Sequence, residues 1–383
     1  MPTFVNPFQQ IRCFYCDQLF YPGECAIVSS RTGKMLRDAK SSAGGRLILP
    51  SLEGAQYARE QALRQCPHCG KGLPRNFEQV KNHTIAIVGD LASGKTHYLT
   101  SCIQQLMQRG TWQVIGCSKI VGQGDSDTRY YKDYYAPVYV RHEQFSLTPQ
   151  GALSTPNALY TIDPLIYEVV FAARSRLQPA KSVNLMFYDS SGEDIAQEQR
   201  MILFSHYILR ASAIIFLADP LAMHSLVDKL PHNHSMLPGT DRRFSPSTVL
   251  NRVIQTFEQN LGLKPGAKLQ TPIAIAVSKS DLLEYVTSYT TTKPLFLSDT
   301  TLGNKLDPII FGTIDREVRD LLQHVGDKEL LPSTSSFVNT SFFAVSPTGW
   351  PADQTGKFPR IEPRRCLDPL LWALWKLRVI ENE

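Results

Sequence analysis

The chain has no run of about 18 uninterrupted apolar residues, which excludes a helical membrane span on length. Its start, Met1 to Gln10, lacks a basic segment followed by an apolar one, so no secretory signal is legible. There is no GxSxG elbow, and Ser/His/Asp hydrolase chemistry is left without support. No internal repeat, heptad array or low-complexity tail is present. These absences point to a soluble globular protein of the cytoplasm, and contents of 43% hydrophobic and 20% charged residues agree with that class. A length of 383 residues suffices for a large domain plus a small one, or for two domains. Most of the chain also lacks net charge: residues 1–84 hold 11 Lys/Arg against 6 Asp/Glu, the entire excess of +5, and the remainder balances at 29 of each. That asymmetry suits either a solvated surface or an anionic partner such as nucleic acid.

Cysteine is scarce, eight residues in all, yet four of them form two knuckles, Cys13-Phe-Tyr-Cys16 and Cys66-Pro-His-Cys69. In a cytosolic chain such pairs indicate metal rather than disulfides. Each CxxC turn points two thiolates at one ion, and two turns complete a tetrahedral four-cysteine zinc site of structural type. The alternative is a pair of unmetallated thiol turns. The knuckles are 49 residues apart, more than a compact zinc ribbon needs, with a helix-like run near Ala55 to Gln65 in the insert. Cys25 is a spare that can replace a ligand or lie buried, His68 reads as a filler, and Cys102, Cys117 and Cys366 read as core.

Residues Gly89-Asp90-Leu91-Ala92-Ser93-Gly94-Lys95-Thr96 form a complete phosphate-binding loop after the apolar run Ile85 to Val88. Its backbone N–H groups can cradle a polyphosphate, Lys95 can reach the β- and γ-phosphates, and Thr96 can hold Mg²⁺. Leu99, Cys102, Ile103, Leu106 and Met107 give the following segment a helical apolar stripe. Downstream, the apolar strand Val183 to Tyr188 ends in Asp189-Ser190-Ser191-Gly192, where Asp189 can support Mg²⁺ through water and Gly192 can meet a γ-phosphate. A second strand, Pro272 to Val277, precedes Ser278-Lys279-Ser280-Asp281. Asp281 can accept hydrogen bonds from N1 and N2 of guanine, and the Lys279 stem can lie along the base. A third strand ends at Ser346, whose loop can approach the base.

These four motifs, in this order, resemble the TRAFAC-class GTPases, with a Ras-like core, over about Ile85 to Ile380. The phrases Leu185 to Glu193, Ala211 to Pro220 and Leu367 to Leu374 look like prokaryotic GTPases of the double-GTPase type, some of which carry an N-terminal zinc ribbon. The resemblance implies an α/β fold: a mostly parallel sheet with helices on both faces, plus a small zinc-ribbon module. It implies a guanine nucleotide, GTP, with Mg²⁺ and Zn²⁺, and a bacterial switch with a protein effector or activator. It carries phosphate contacts to Gly89 through Lys95, Mg²⁺ to Thr96 and Asp189, and guanine recognition to Lys279 and Asp281. A switch threonine is expected before the strand at 165–171, with Thr155 chosen and Thr161 second. Many such GTPases pair across their nucleotide faces, so a homodimer is a further implication.

Four departures from the pattern matter. Glu193 stands where a Ras-like enzyme places glutamine, and an ionised carboxylate near phosphate predicts slow hydrolysis unless a partner supplies a cation. Ser278 replaces the usual Asn or Thr, and Pro347 has no N–H to offer the base. Gly89 and Asp189 stand 100 positions apart, about twice what a minimal core needs, and the segment includes the cluster Arg129-Tyr-Tyr-Lys-Asp-Tyr-Tyr135 with Tyr139. Those tyrosines either pack on the core or stack on bases.

The expected division is a zinc module at 1–80 and a GTPase domain at 81–383, with an enlarged switch region about 110–180. Strands are expected at 84–88, 163–172, 183–189, 212–219, 272–278 and 340–346, and helices at 95–109, 195–209, 246–261, 313–324 and 367–379. The leading expectation is a slow, Mg²⁺-dependent GTPase switch. The alternatives are a P-loop ATPase or small-molecule kinase, and a zinc-ribbon module that binds nucleic acid or protein with nucleotide as structural ligand.

Overall fold

In a computed structural model of the chain, residues 9–38, 52, 54–90, 92–145, 163–173, 180–189, 207–230, 244–264, 266–286, 293–298 and 306–381 are described. The chain divides into two compact units: 1–82 with 120–128 and 153–186, and 83–119 with 129–152 and 187–383.

The first unit carries five short strands near its beginning: β1 (Ile11–Arg12), β2 (Leu19–Phe20), β3 (Ala26–Ser29), β4 (Met35–Arg37) and β5 (Ala62–Gln65). β1 pairs with β2, and β4, β3 and β5 form a three-stranded antiparallel sheet. The run near Ala55 to Gln65 is only half helical. Helix α1 (Ala55–Arg59) stops, Gln61 takes a left-handed φ of +49°, and the chain re-enters as β5, with Leu63 opposite Val28. The sheet pairing overrides the local helical pattern.

Seven strands form one sheet in the order β12-β11-β10-β6-β9-β8-β7, where β6 is Lys81–Gly89, β7 Cys117–Gly122, β8 Leu165–Phe171, β9 Lys181–Asp189, β10 Ala213–Ala218, β11 Ile273–Val277 and β12 Thr340–Ala344. β6, β10, β11 and β12 run parallel, in a register that sets Phe216 beside Val88 and Ile275, and Ile275 beside Phe342. All six residues of β10 and all five of β11 are buried. Continuous apolar runs of this kind belong to parallel strands covered on both sides. The six expected strands all appear with shifted ends. β7 was not anticipated, because Cys117-Ser-Lys-Ile-Val-Gly122 is short and mixed in polarity.

Helix α2 (Lys95–Leu106) follows β6, and the expected continuation to 109 breaks instead into a separate helix, α3 (Arg109–Ile115). Helices α4 (Pro246–Leu261), α5 (Pro308–Val325) and α6 (Asp368–Lys376) follow the later strands. α4 and α5 have side-chain caps: Ser245 Oγ accepts from Thr248 N, and Asp307 Oδ1 from Ile309 N. α6 is buried on nearly every side from Asp368 to Leu374, and Trp372, rather than Trp375, is its buried indole, 6.1 Å from the Phe343 ring. Residues Tyr130–Val140 form a π-helix, an element that no apolar periodicity in the sequence announced. The expected helix at 195–209 lies mostly outside the described residues. Among the described residues, no helix is long and apolar enough to cross a membrane.

Candidate functional site

Two charged centres are built by different means. In the first, both cysteine knuckles are the same five-residue turn. Cys13 N donates to Gln18 O and Asp17 N to Cys13 O; in parallel, Cys66 N donates to Lys71 O and Gly70 N to Cys66 O. Asp17 (φ +64°) and Gly70 (φ +72°) take the same left-handed position behind the second thiol of each pair. The four sulfurs lie within 4.8 Å of one another, and Cys13–Cys69 and Cys16–Cys66 are each 3.8 Å apart. That exceeds a disulfide bond of about 2.05 Å. It is the edge of a tetrahedron whose centre lies about 2.3 Å from each sulfur, the zinc–thiolate distance. Hydrogen bonding from Cys13 pulls the Cys66 thiol down, whereas burial pushes Cys69 up. Cys25 is buried in the same core but stands outside the four-thiol set, and the His68 ring bonds Leu19 O instead.

The second centre lies at the end of β6. Gly89 is required by space: a Cβ there would meet Ser93 Oγ at 2.6 Å and Leu217 O at 2.7 Å. Ala92 and Gly94 take positive φ, +59° and +89°, and Gly94 opens α2. Lys95 is buried, and its ammonium donates to Gly89 O at 2.9 Å and Asp90 O at 2.8 Å. These carbonyls hold the cation inside the loop it would share with a phosphate. Ser93 Oγ is buried without a hydrogen-bond partner among the described residues.

β9 delivers Asp189 beside this loop. Burial raises the Asp189 carboxyl to about 6, against the opposing pull of the Lys95 charge and a hydrogen bond from Thr96. Among the described residues its Oδ1 is buried with no partner, an acceptor of the kind a hydrated cation satisfies. Thr96 and Asp189, assigned to one magnesium site from 93 residues apart, therefore touch.

The two segments expected to meet a base follow β11 and β12. Ser346 Oγ donates to Asp281 Oδ1 at 2.5 Å and accepts from Gly349 N at 3.0 Å, which fixes the direction of the carboxylate. Lys279 sits at a left-handed φ of +51° and donates to Asp219 Oδ2 at 2.8 Å. Ser278 is buried, with its N–H on Ala218 O. Helix α2 reaches both groups: Thr96 bonds Asp189, and Ser101 Oγ donates to Pro347 O at 2.7 Å. Leu91, Thr155, Thr161, Gly192 and Glu193 lie outside the described residues.

Three residues of this neighbourhood escaped the sequence reading in these roles. Asp219, the end of a recognised phrase, is the buried partner of Lys279. Asp90, counted only as a loop residue, accepts from Phe244 N at 2.7 Å, 154 residues away. His97 packs between Phe145 and Phe358, with ring centroids at 4.7 and 5.6 Å, and its Nε2 faces Phe145 N. Burial, and then the Lys279 charge, push it down to about 4. No single-sequence signal marks His97, whereas an Asp at a strand end before a proline could have drawn attention to Asp219.

No family model matches the chain. It is 26% identical over 345 residues to a putative ESX-1 scaffolding and assembly protein, SaeC, of Mycolicibacterium smegmatis, with 85% of this chain and 82% of that protein covered. Among solved structures, it is similar to a chain of the signal recognition particle receptor SRb-GTP/SRX complex from Chaetomium thermophilum. That likeness covers 77% of this chain and 97% of the other at 12% identity, with a TM-score of 0.30, too distant to carry the fold.

Proposed function

We propose that the chain binds GTP with Mg²⁺ at the 89–96 loop, hydrolyses it slowly, and acts as a nucleotide-dependent switch in protein assembly. One observation carries the reading: α2 contacts the strand-end carboxylate Asp189 through Thr96, and through Ser101 it contacts Pro347, beside the Ser346 that bonds Asp281. A triphosphate at the N-terminus of α2 and a purine against Asp281 would then meet groups that one helix links, directly at Thr96 and through Ser101 and the 346–349 loop.

Lys95 would exchange its two loop carbonyls for phosphate oxygens, charge-assisted bonds stronger than those it leaves. Asp281, aligned by Ser346, would accept from the N1–H and N2–H of guanine, a donor pair that adenine does not offer. Thr96 would hold the magnesium ion, with Asp189 behind it through water, and the ion would neutralise charge on the phosphates. Slow turnover follows from Glu193, whose carboxylate would stand near the γ-phosphate. The four knuckle cysteines would hold one structural zinc ion. The module boundaries at 1–80 and 81–383 and the switch role of Thr155 belong to the same proposal. The description of SaeC as a scaffolding and assembly protein supports a protein effector in preference to a small-molecule acceptor.

Competition against labelled GTP tests the base assignment. GTP and GDP should compete and ATP should not, and Asp281→Ala should erase the difference. Equal competition by ATP, with an indifferent Asp281→Ala variant, would instead establish the ATPase or kinase reading.

A further inference from the structure

Ser101 lies midway along α2 and is fully buried. Its hydroxyl donates to Pro347 O at 2.7 Å and accepts from the Tyr139 hydroxyl at 3.2 Å. Proline has no N–H, so its carbonyl is the backbone handle by which this loop can be gripped. The neighbouring residue is Ser346, which aims Asp281. Elsewhere the loop is braced by backbone. Ser346 and Arg364 exchange hydrogen bonds of 3.0 and 2.8 Å, and Glu362 N donates to Thr348 O at 2.9 Å. Gly349 closes the turn at φ +78°, where a Cβ would meet Glu362 O at 2.3 Å. α2 thus holds the 346–349 loop through Ser101, and Ser101 is itself held by the π-helix.

The π-helix grips two successive residues of α2. Tyr130 OH donates to Thr100 O at 2.8 Å, and Tyr139 OH donates to Ser101. Stacked rings stiffen it: Tyr135 lies 5.0 Å from Tyr139, and Tyr131, largely exposed, lies 5.8 Å from Tyr135. π-Helical turns are rare and frequently lie at functional sites. Burial pushes the Tyr139 phenol well above its ordinary value, so it remains a donor throughout the physiological range.

We propose that Ser101 and Tyr139 are positioning residues for nucleobase recognition, holding the 346–349 loop where Asp281 meets the base, so that the π-helix sets how long guanine nucleotide is retained. This rests on the guanine reading of Asp281. In Ser101→Ala the buried Pro347 carbonyl loses its donor, whereas in Tyr139→Phe Ser101 keeps Pro347 but loses the hydroxyl that holds its own.

The test is release of a ribose-labelled fluorescent GDP from the full-length protein, measured by stopped flow for wild type, Ser101→Ala, Tyr139→Phe, the double variant and Asp281→Asn. Ser101→Ala and Tyr139→Phe should each speed release by about threefold to tenfold, the worth of one hydrogen bond. The double variant should fall short of the product of the two, since both act through one contact. Competition by inorganic tripolyphosphate should be unchanged, because the phosphate loop is untouched. Release at the wild-type rate by both single variants, with rapid release by Asp281→Asn, would overturn the positioning role alone. Equal weakening toward GDP and tripolyphosphate also overturns it, since that marks a general loosening of α2. Wild-type release by Asp281→Asn would remove the guanine reading, and the positioning role with it.

Discussion

Each half of the cysteine cluster is a local turn whose two thiols are placed by backbone hydrogen bonds within six residues. The phosphate loop, by contrast, finds its partners far along the chain, at Asp189 and at Phe244. The cysteine centre gathers four like groups that cannot all ionise together without a cation. The phosphate centre already contains its cation, Lys95, satisfied by its own loop. The first should therefore depend on its ion for structure, and the second should fold without its ligand.

The largest expected effect follows directly. Stripping metal with a strong chelator, or replacing Cys66 by serine, should unfold the region around residues 9–80. Structural zinc in small modules is worth about 10–16 kcal/mol of apparent binding free energy. Metal analysis should find one zinc ion per chain, and thiol reactivity should jump on chelation. A module that keeps its near-UV signal and protected thiols without metal would show that the cysteine centre, like the 89–96 loop, folds without its ligand.

Lys95→Ala should come next, with nucleotide affinity falling at least about a hundredfold, as expected for loss of a buried charge paired with phosphate. The melting temperature of the nucleotide-free protein should change little or rise, because a buried ammonium has been removed. A large fall in stability instead would show that Lys95 also holds the empty loop together.

His97 provides a pH test of the same region. Its folded value of about 4 lies below the ordinary 6.5, so the folded protein binds fewer protons than the unfolded chain between those values. The associated stability is present above pH 6.5 and drains away as pH falls to about 4, approaching about 3 kcal/mol. Denaturant titrations should show this fall, and His97→Leu should lack that part of it. An identical acid profile in the variant would place the sensitivity elsewhere.

Asp219→Asn should have the smallest effect, about a fewfold loss in guanine nucleotide affinity, because the Lys279 stem loses its anchor but Asp281 stays aligned. A loss as large as that of Lys95→Ala would mean that the Asp219–Lys279 pair organises the whole base-reading loop.

Residue types and short spacings made several features legible. The knuckles, the 89–96 loop, the buried strand runs and the acid after β11 each write their chemistry within a few neighbouring positions. The π-helix was illegible because tyrosines four or five apart fit packing on a core as well as a stacked ladder. β7 was hidden by its mixed polarity, and α1 was overextended because Ala55 to Gln65 reads as helix until β3 claims its second half.

What the amino-acid order determined by itself was the inventory of local devices: two thiol turns, one glycine-bounded loop between strand and helix, and carboxylates at strand ends. Such devices depend on backbone geometry and hydrogen bonding among neighbours in sequence. Which devices meet was decided only by tertiary structure. Thr96 on Asp189, Ser346 on Asp281, Lys279 on Asp219 and Tyr139 on Ser101 span from 38 to 93 residues of chain. Contacts of that range are set by strand order in the sheet and by the packing of α2, since no local interaction selects a partner so far along the chain.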